Sequence, residues 1–364
     1  MKIKEMLGTL QPGKKQEKPA QLWTKWGEEI KNECEALNYV PLPEYPRPQM
    51  RREDYTVLNG WWEYRIASFS WGKILVPFSP ESVLSGVSRQ LQPDEELWYR
   101  RNVQISEDEY QTHRTKKDRL LLQFGAVDQE CRVYWNGHLV GSHRGGYLAF
   151  TVEVTEFVRP GANELQVICT DESDTGAEAR GKQKLKPGGM FYTAQSGIWQ
   201  TVWMEWVPQR SVEWIKIMSQ PDEGVVRIRV RVSAQGQSAE LLNTEKGRTC
   251  TYMPEQIFIT ISYEENEEEK LQISCIPSRR GAGWTDYDAA ITIQNAKLWS
   301  PEHPFLYDLE IRAGEDRVKS YFAMRTFSVE ADENGIPRFC LNHQPYFLNG
   351  VLDQGYWPEG LYTA

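Results

Sequence analysis

The stretch Glu130-Cys-Arg-Val-Tyr-Trp-Asn-Gly-His-Leu-Val-Gly-Ser142 decides the fold of the first half of this 364-residue chain. Two β-rich runs, Glu130–Trp135 and His138–Ser142, flank the dipeptide Asn136-Gly137. Asn and Gly both tolerate the positive φ angles that a two-residue type I′ turn requires. The stretch therefore predicts a β-hairpin.

Similar short runs surround this hairpin on both sides. They are Trp61–Ile66, Leu97–Val103, Arg119–Phe124, Tyr147–Val154, Glu164–Cys169 and Ile198–Trp206. Pro160-Gly161 marks a turn between two of them. Many short strands with few helical patterns predict a β-sandwich of the jelly-roll type.

A second set of β-rich runs begins near Ser211. Its members are Val212–Met218, Val225–Val232, Gln256–Tyr263, Leu271–Cys275, Tyr287–Ile293, Phe305–Ile311 and Arg317–Met324. About seven strands over a segment of this length are typical of an immunoglobulin-like sandwich. The acidic run Glu264–Glu269 lies between two of them, and we interpret it as a solvated hairpin tip.

The two ends of the chain differ from these sandwiches. A short helix, Gln21–Ala36, is predicted before four prolines at positions 41, 43, 46 and 48, whose spacing favours an extended segment. Trp23 and Trp26 favour docking of this lead-in over a mobile tail. After Phe327, we expect a hairpin of Ile336–Cys340 and Tyr346–Val351 that leads into a buried strand.

Composition excludes several function classes. A net charge of −9 and a pI of about 5.3 argue against nucleic-acid binding. The six cysteines are far apart, without zinc-like spacing, so we assign no metal and no cofactor. Without a signal-like apolar segment or a membrane-length apolar run, we expect no membrane association and a cytoplasmic protein with free thiols. Secretion by another route is the alternative.

Aromatic residues make up 12% of the chain. Trp and Tyr side chains carry large buried areas in β cores, and they also stack on sugar rings. Composition alone leaves both interpretations open, with core packing favoured.

Two motifs resemble functional sites but depart from them. Gly176–Lys182 has P-loop spacing, but Gln183 stands where the Mg²⁺-binding hydroxyl belongs. Asp171–Gly176 resembles the start of an EF-hand loop, but Lys182 occupies the position of the bidentate Glu. A calcium site of another kind stays open there. No pattern supports Ser/His/Asp catalysis.

Carboxylates near the end of the chain invite a catalytic interpretation. Asp353 and Glu359 follow the strand predicted at Tyr346–Val351. Two carboxylates on one short loop make a weak catalytic pair, because retaining hydrolysis needs two groups about 5–5.5 Å apart on a rigid frame. We favour a substrate contact for Asp353 and a structural role for Glu359.

Several segments together resemble glycoside hydrolase family 2, the family of β-galactosidases, β-glucuronidases and β-mannosidases. The similar segments are Leu58–Arg65, Trp98–Arg101, Leu122–Asp128, Val133–Tyr147, Ser196–Trp203, Trp299–Tyr307, Met324–Phe327 and Phe347–Gly360. They occur in family order. The resemblance implies an all-β chain with a galactose-binding-like jelly-roll sandwich, an immunoglobulin-like sandwich and the remnant of the first strand of a (β/α)8 barrel.

The corresponding domain boundaries are 1–50 for the lead-in, 51–209 for the sugar-binding jelly roll, 210–328 for the immunoglobulin-like domain and 329–364 for the start of the barrel. A complete barrel needs about 250 residues, so we expect this chain to end about one strand into it.

The resemblance implies a retaining β-glycosidase acting on a β-linked carbohydrate. The family's catalytic Glu residues come from late barrel strands, so no catalytic residue carries over to this chain. Candidate sugar contacts in the first domain are Tyr192, Thr193 and Gln195. The loop after the first barrel strand offers Asp353, Gln354, Tyr356 and Trp357. Asp353-Gln354 departs from the Arg-His type sequence frequent in the β-galactosidase branch, which argues against simple lactose-type specificity.

The resemblance also includes the segment Ser142–Tyr147. For Ser142–Tyr147, a tight bend at Gly145-Gly146 with a packed Tyr147 is favoured over direct sugar contact.

Three hypotheses follow. The favoured one is the N-terminal part of a glycosidase, inactive alone. The alternatives are a stand-alone carbohydrate-binding or adaptor protein, and a hydrolase that uses its own residues. An adaptor has no reason to keep the apolar segment Phe347–Gly360, because an unpaired strand promotes association. For the same reason we expect a homodimer or a mobile tail.

Overall fold

The computed structural model describes residues 21–34, 38–233, 256–262 and 270–364. The predicted hairpin tip Glu264–Glu269 and positions 35–37 of the predicted helix lie outside these residues. Neither α-helix in the described ranges has the length and apolar character of a membrane span.

The first domain is built from short strands. Helix α1, Lys25–Glu33, precedes it, and helix α2, Glu107–Lys116, lies between its fourth and fifth strands. Its strands are β1 Tyr55–Val57, β2 Gly60–Ile66, β3 Gly72–Val76, β4 Leu97–Ile105, β5 Arg119–Phe124, β6 Val127–Asp128, β7 Glu130–Trp135, β8 His138–Arg144, β9 Phe150–Glu153, β10 Gly161–Thr170, β11 Gln183–Lys184, β12 Tyr192–Thr193, β13 Gly197–Ile198 and β14 Val202–Val207.

Two sheets of this domain enclose one apolar core. The larger sheet has the order β3-β2-β4-β10-β7-β8 and the smaller one β1-β14-β5-β9, while β6 pairs with β13 and β11 with β12. Trp62, Tyr99, Trp135 and Phe124 fill the space between the sheets. The predicted β7–β8 hairpin is confirmed, and Asn136 and Gly137 have φ angles of 51° and 81°.

The second domain is also a sandwich. Its strands are β15 Val212–Gln220, β16 Val225–Ser233, β17 Ile257–Ser262, β18 Lys270–Cys275, β19 Pro277–Gly281, β20 Trp284–Thr292, β21 Tyr307–Ala313 and β22 Asp316–Phe322. They form the sheets β15-β16-β20-β19 and β18-β17-β21-β22. Alternate residues of β16 and β17, such as Ile228 and Ile259, point into the shared core, as expected for half-buried strands. The all-β, two-sandwich prediction is confirmed.

A small three-stranded sheet follows the second domain, and it contains the strand predicted at Ile336–Cys340 but not the partner predicted for it. Its strands are β23 Phe327–Ala331, β24 Pro337–Leu341 and β25 Gln344–Pro345. The prediction of a buried strand over Tyr346–Val351 is wrong in this structure. The Tyr346 amide donates to the Phe339 carbonyl of β24 at 2.9 Å, but no strand forms over this segment, and Phe347 and Val351 are 85% and 92% exposed.

Other sequence predictions need smaller corrections. The first helix covers Lys25–Glu33 instead of Gln21–Ala36, with Thr24 as its N-cap. Strand β3 and helix α2 were not predicted. Helix α2 lacks an apolar stripe, although Ser106 and Glu109 mark its start: the Ser106 hydroxyl accepts a hydrogen bond from the Glu109 amide. Short 3₁₀ turns occur at Pro48–Met50, Thr155–Phe157, Ser173–Thr175 and Pro221–Glu223.

The proline-rich lead-in is docked, as predicted. The Tyr45 hydroxyl donates to Glu205 Oε1 at 2.6 Å, and Asn59 Nδ2 donates to the Pro41 carbonyl at 2.9 Å. Trp23 packs against a small apolar cluster around Phe78. Trp26 is 66% exposed, so the expectation of burial is wrong for that residue.

Arg52 joins the two domains. Its guanidinium donates to Glu205 of the first domain at 3.0 Å and to both carboxylate oxygens of Asp316 in the second domain at 2.9 Å. A further bond of 2.6 Å reaches the Val212 carbonyl. All three charged side chains are at most 4% exposed, so this buried ion network holds the domains together.

Candidate functional site

The loop 353–363 docks against the first domain. Trp357 and Leu361 pair through their backbones and close a tight turn. The Thr363 hydroxyl bonds to the carbonyls of Pro77 at 3.2 Å and Trp199 at 2.7 Å. These contacts bring the end of the described chain to residues more than 150 positions earlier.

Four predicted contact residues meet where this loop docks. The rings of Tyr192 and Tyr356 stack with centroids 4.4 Å apart. The Tyr192 hydroxyl donates to Gln354 Oε1 at 2.8 Å, and the Tyr356 hydroxyl donates to the Thr193 carbonyl. The two halves of the predicted sugar-contact set therefore lie together, although the Tyr356 hydroxyl and the Thr193 carbonyl are engaged with each other.

Three predicted residues hold other positions. Gln195 is 1% exposed, and its side chain accepts from the Tyr362 amide at 3.3 Å, so it supports the loop from inside and is out of reach of a surface ligand. Asp353 is exposed, and its Oδ1 accepts from the Gly355 amide at 2.7 Å in a local turn. Trp357 is half-buried.

Additional aromatic side chains extend this surface. Tyr362 contacts Tyr356 at 5.2 Å, Trp199 at 5.5 Å and Tyr147 at 6.1 Å between ring centroids. We call Tyr147, Tyr192, Trp199, Tyr356 and Tyr362 the aromatic wall. Tyr147 does pack, as favoured from the sequence, but it is still 38% exposed. Trp199 and Tyr362 were missed, because nothing in their local sequence shows that they meet.

A cluster of three carboxylates, Glu81, Asp128 and Asp171, lies behind the wall. Burial raises the pKa of Asp128 to about 8, and the charges of Asp171 and Glu81 add to the shift. Burial likewise raises the pKa of Glu81 to about 8 and raises the pKa of Asp171. Burial, together with the neighbouring like charges at Asp128, therefore favours the protonated form of these acids.

The three carboxylates differ in their hydrogen bonds. Glu81 accepts from the amides of Leu91 and Ser196, each at 3.0 Å. Asp171 accepts from the Ser173 amide at 2.7 Å. No hydrogen bond from the described residues contributes to the pKa of Asp128. Among the three, Asp128 is therefore the carboxyl group whose oxygens can still accept a hydrogen bond.

Asp128 also lies next to the aromatic wall. A Cβ atom at Gly146 would be only 2.0 Å from Asp128 Oδ1, so the carboxylate packs directly on that backbone. Trp199 Nε1 donates to the Gly146 carbonyl at 2.8 Å. The charge of Asp128 contributes to a raised pKa of the Tyr147 hydroxyl, after burial and Tyr362. The Asp128 carboxyl group and the rings of the aromatic wall thus lie side by side.

Glu359 anchors the loop to helix α1. It is 3% exposed, and its Oε1 accepts from the Thr24 amide at 3.2 Å and from the Thr24 hydroxyl. Gly27 is in close contact with the Glu359 side chain, since an added Cβ would lie 2.2 Å from Oε1. These contacts agree with the structural role expected for Glu359.

The other motifs carry no site here. Gly176–Lys182 leads into the short strand β11 instead of a helix. Asp174 Oδ1 accepts from the Leu185 amide at 3.1 Å, which orders this loop. No group of three or more His, Cys, Asp or Glu side chains in the described ranges is arranged to hold a metal ion.

Comparisons with known proteins agree with the observed domains. A family model described as the glycosyl hydrolase 2 galactose-binding domain-like family matches residues 78–206, and one for glycosyl hydrolases family 2 matches residues 214–325. Together they cover about two thirds of the chain.

Individual relatives are distant. A β-galactosidase of Thermoanaerobacter pseudethanolicus is 23% identical over 267 residues, covering 70% of this chain and 31% of the relative. A β-glucuronidase of Streptococcus agalactiae is 28% identical over 339 residues, covering 84% and 48%. The crystal structure of a Ruminococcus gnavus β-glucuronidase matches with a TM-score of 0.61 at 18% identity, over 90% of this chain and 53% of that one. The chain thus spans half or less of the curated relatives it matches.

Proposed function

The chain belongs to glycoside hydrolase family 2, and from this premise we propose that it forms the N-terminal part of a retaining β-glycosidase. In this proposal the first sandwich and the loop 353–363 line a sugar pocket, and the second sandwich serves as scaffold. The catalytic carboxylates come from outside these 364 residues.

The observation that carries the proposal is the docking of the loop onto the first domain. It brings Tyr192 and Tyr356 together with Gln354, next to the remaining members of the aromatic wall. Aromatic faces with a few polar groups are suited to pyranose rings, which present C–H faces and hydroxyl edges. Asp128 is only 4% exposed, so its carboxyl group supports the wall from behind.

The carboxylates of this chain do not favour hydrolysis by the chain alone. A retaining mechanism needs one acid and one nucleophile with free oxygens on either side of the glycosidic bond. Glu81 and Asp171 accept backbone hydrogen bonds, and Glu359 is held by Thr24. Asp353 lies in an exposed turn, so Asp128 has no evident catalytic partner among these groups.

Hydrolysis of nitrophenyl β-galactoside, β-glucuronide, β-mannoside and β-glucoside by the 364-residue chain tests the absence of catalysis. We expect no turnover above the buffer rate. Turnover that disappears in an Asp128→Asn variant would refute this part of the proposal and support the alternative of a self-contained hydrolase.

Sugar binding is tested separately by saturation-transfer NMR with the corresponding methyl β-glycosides. We expect weak binding that falls at least about tenfold in Tyr192→Ala, since a lost stacking contact costs about 1.4 kcal/mol or more. Trp214→Ala is the matched control, because Trp214 is a 42% exposed aromatic residue of the second domain. Equal loss in both variants, or no binding at millimolar sugar, would contradict a sugar-binding wall.

A stand-alone carbohydrate-binding or adaptor protein would also bind sugars in this test. The exposed apolar residues Phe347, Leu348, Val351 and Leu352 favour the glycosidase proposal, because a self-sufficient binder gains nothing from them. A cytoplasmic location belongs to the same proposal. It is supported by the buried cysteines Cys131, Cys169, Cys275 and Cys340, which are free thiols in the part of the chain that the structure describes.

A further inference from the structure

Two buried cysteines face each other beneath the candidate site. Cys131 on β7 and Cys169 on β10 are direct partners in the antiparallel register of the larger sheet. Their side chains are 1% and 0% exposed and belong to the core of the first domain. Both are free thiols.

The hydrogen-bond pattern places these cysteines in a closely spaced pair. Asn136 and Glu164 continue the same register, and the Asn136 amide donates to the Glu164 carbonyl at 2.8 Å, which makes them a hydrogen-bonded pair. Such pairs alternate with non-hydrogen-bonded pairs along an antiparallel ladder. Cys131 and Cys169 lie five residue pairs further along the ladder, an odd number, so they form a non-hydrogen-bonded pair.

Non-hydrogen-bonded pairs have Cα atoms about 4.5 Å apart and side chains on the same face. Disulfides occur at Cα separations of about 4.4–6.8 Å. The backbone around Cys131 and Cys169 is therefore already spaced for a disulfide, at the short end of the range.

We propose that Cys131 and Cys169 are a latent redox site, closed by a low-molecular-weight disulfide such as oxidised glutathione into a cross-strand bond between β7 and β10. One cysteine thiolate attacks the oxidant, and one glutathione leaves as a thiol. The second cysteine then attacks the mixed disulfide and releases the second glutathione. The protein loses two protons and two electrons, which is two hydrogen atoms in total, and the oxidised glutathione is reduced to two thiols.

The bond would connect the two strand ends that carry the carboxylate cluster. Cys131 follows Asp128 by three positions, and Cys169 precedes Asp171 by two. The Cys169 thiol interacts electrostatically with Cys131 and with both carboxylates. Oxidation therefore acts on the backbone directly beneath the aromatic wall.

Access controls when the bond forms. Burial raises the pKa of the Cys131 thiol to about 12, and burial also raises the pKa of the Cys169 thiol. Since the thiolate is the attacking species, reaction in the closed native state is slow. Oxidation should therefore occur during folding or when β7 and β10 separate locally.

The experiment refolds the full chain from urea in a glutathione buffer, alkylates the remaining thiols and maps peptides by mass spectrometry without reduction. We expect a peptide pair linked through Cys131 and Cys169, a protein mass lower by two hydrogen atoms, and a higher thermal midpoint than the reduced chain. Oxidation of the native protein should accelerate at least tenfold in sub-denaturing urea.

Matched variants test the pairing. Cys131→Ala and Cys169→Ala should each abolish the bond and the rise in thermal midpoint, whereas Cys340→Ala, at another buried free cysteine, should preserve both. If Cys131→Ala or Cys169→Ala folds poorly, the peptide map of the refolded unmodified chain still tests the proposal. Refolded chain with both thiols alkylated, with glutathione adducts alone, or with bonds only between other cysteines overturns the proposal.

Discussion

Replacing Arg52 by methionine should strongly destabilise the contact between the two domains. Breaking a buried ion pair from one side costs about 3–5 kcal/mol, because an uncompensated charge stays behind. Glu205 keeps Arg47 at 2.7 Å, and Asp316 keeps the Val212 amide at 2.6 Å, so both carboxylates retain one partner. We therefore expect about 3 kcal/mol, the lower end of that range.

Urea unfolding followed by tryptophan fluorescence measures this loss, which should lower the midpoint with little change in slope. Arg132→Met is the control, because Arg132 and Glu96 form an exposed pair that should contribute about 0–1 kcal/mol. The double variant Arg52→Met/Asp316→Asn should lose less than the sum of the single variants, since the stranded charge is removed.

The pH dependence of the Arg52→Met variant has a definite sign. Burial alone would raise the pKa of Glu205, but Arg47 and Arg52 outweigh burial and hold it below its ordinary value. This stabilisation is present above the unfolded pKa of about 4.3 and is lost as the pH falls through the lower folded value. Arg52→Met should reduce that acid-side loss. A destabilisation below about 1 kcal/mol at pH 7 would refute the role of Arg52 as the joint.

Three further predictions concern other parts of the chain. Gly27→Ala should cost about 1–3 kcal/mol and speed proteolysis of the loop 353–363, because the new methyl group meets Glu359. Gly188→Ala, whose Cβ would meet nothing, is its control, and equal effects would contradict the argument. Asp128→Asn should gain stability over the unmodified chain between about pH 4 and 8, by up to about 1.4 kcal/mol per unit of the raised pKa that it removes. The raised folded pKa makes ionisation of Asp128 unfavourable in the folded protein within that window. Thermal midpoints of the two proteins that change equally with pH would therefore contradict this prediction. Finally, light scattering should show a concentration-dependent homodimer that Val351→Glu weakens, and a monomer at every concentration of the unmodified chain would rule it out.

Local patterns determined most of the architecture. The alternation of β16 and the positive φ angles available to Asn136-Gly137 depend on residues within one strand or turn, so they can be interpreted without tertiary contacts. Helix α2 was missed because nearly all of its residues are polar, so its sequence lacks the periodic apolar signal of a packed helix. The strand predicted over Tyr346–Val351 failed for the opposite reason. Its apolar pattern is present, but among the described residues only the Tyr346 amide bonds to a neighbouring strand.

The candidate site divides in the same way. Family resemblance grouped Tyr192, Thr193, Gln354 and Tyr356, and the structure brings these four residues into contact, while their role in sugar binding stays a prediction. The resemblance could not separate the half-buried Tyr192 from Gln195, which is buried three residues later.

Only the tertiary structure decided that Asp128 lies behind an aromatic wall made of side chains from distant parts of the chain. The pKa of that carboxyl group and the closeness of Tyr147 to Tyr362 depend on burial and on how the loop 353–363 packs against the first domain. Desolvation and contacts between residues separated by more than 200 positions are properties of the packed molecule. Strand period and turn preference act only over neighbouring residues. They therefore carry no information about desolvation or about contacts between distant residues.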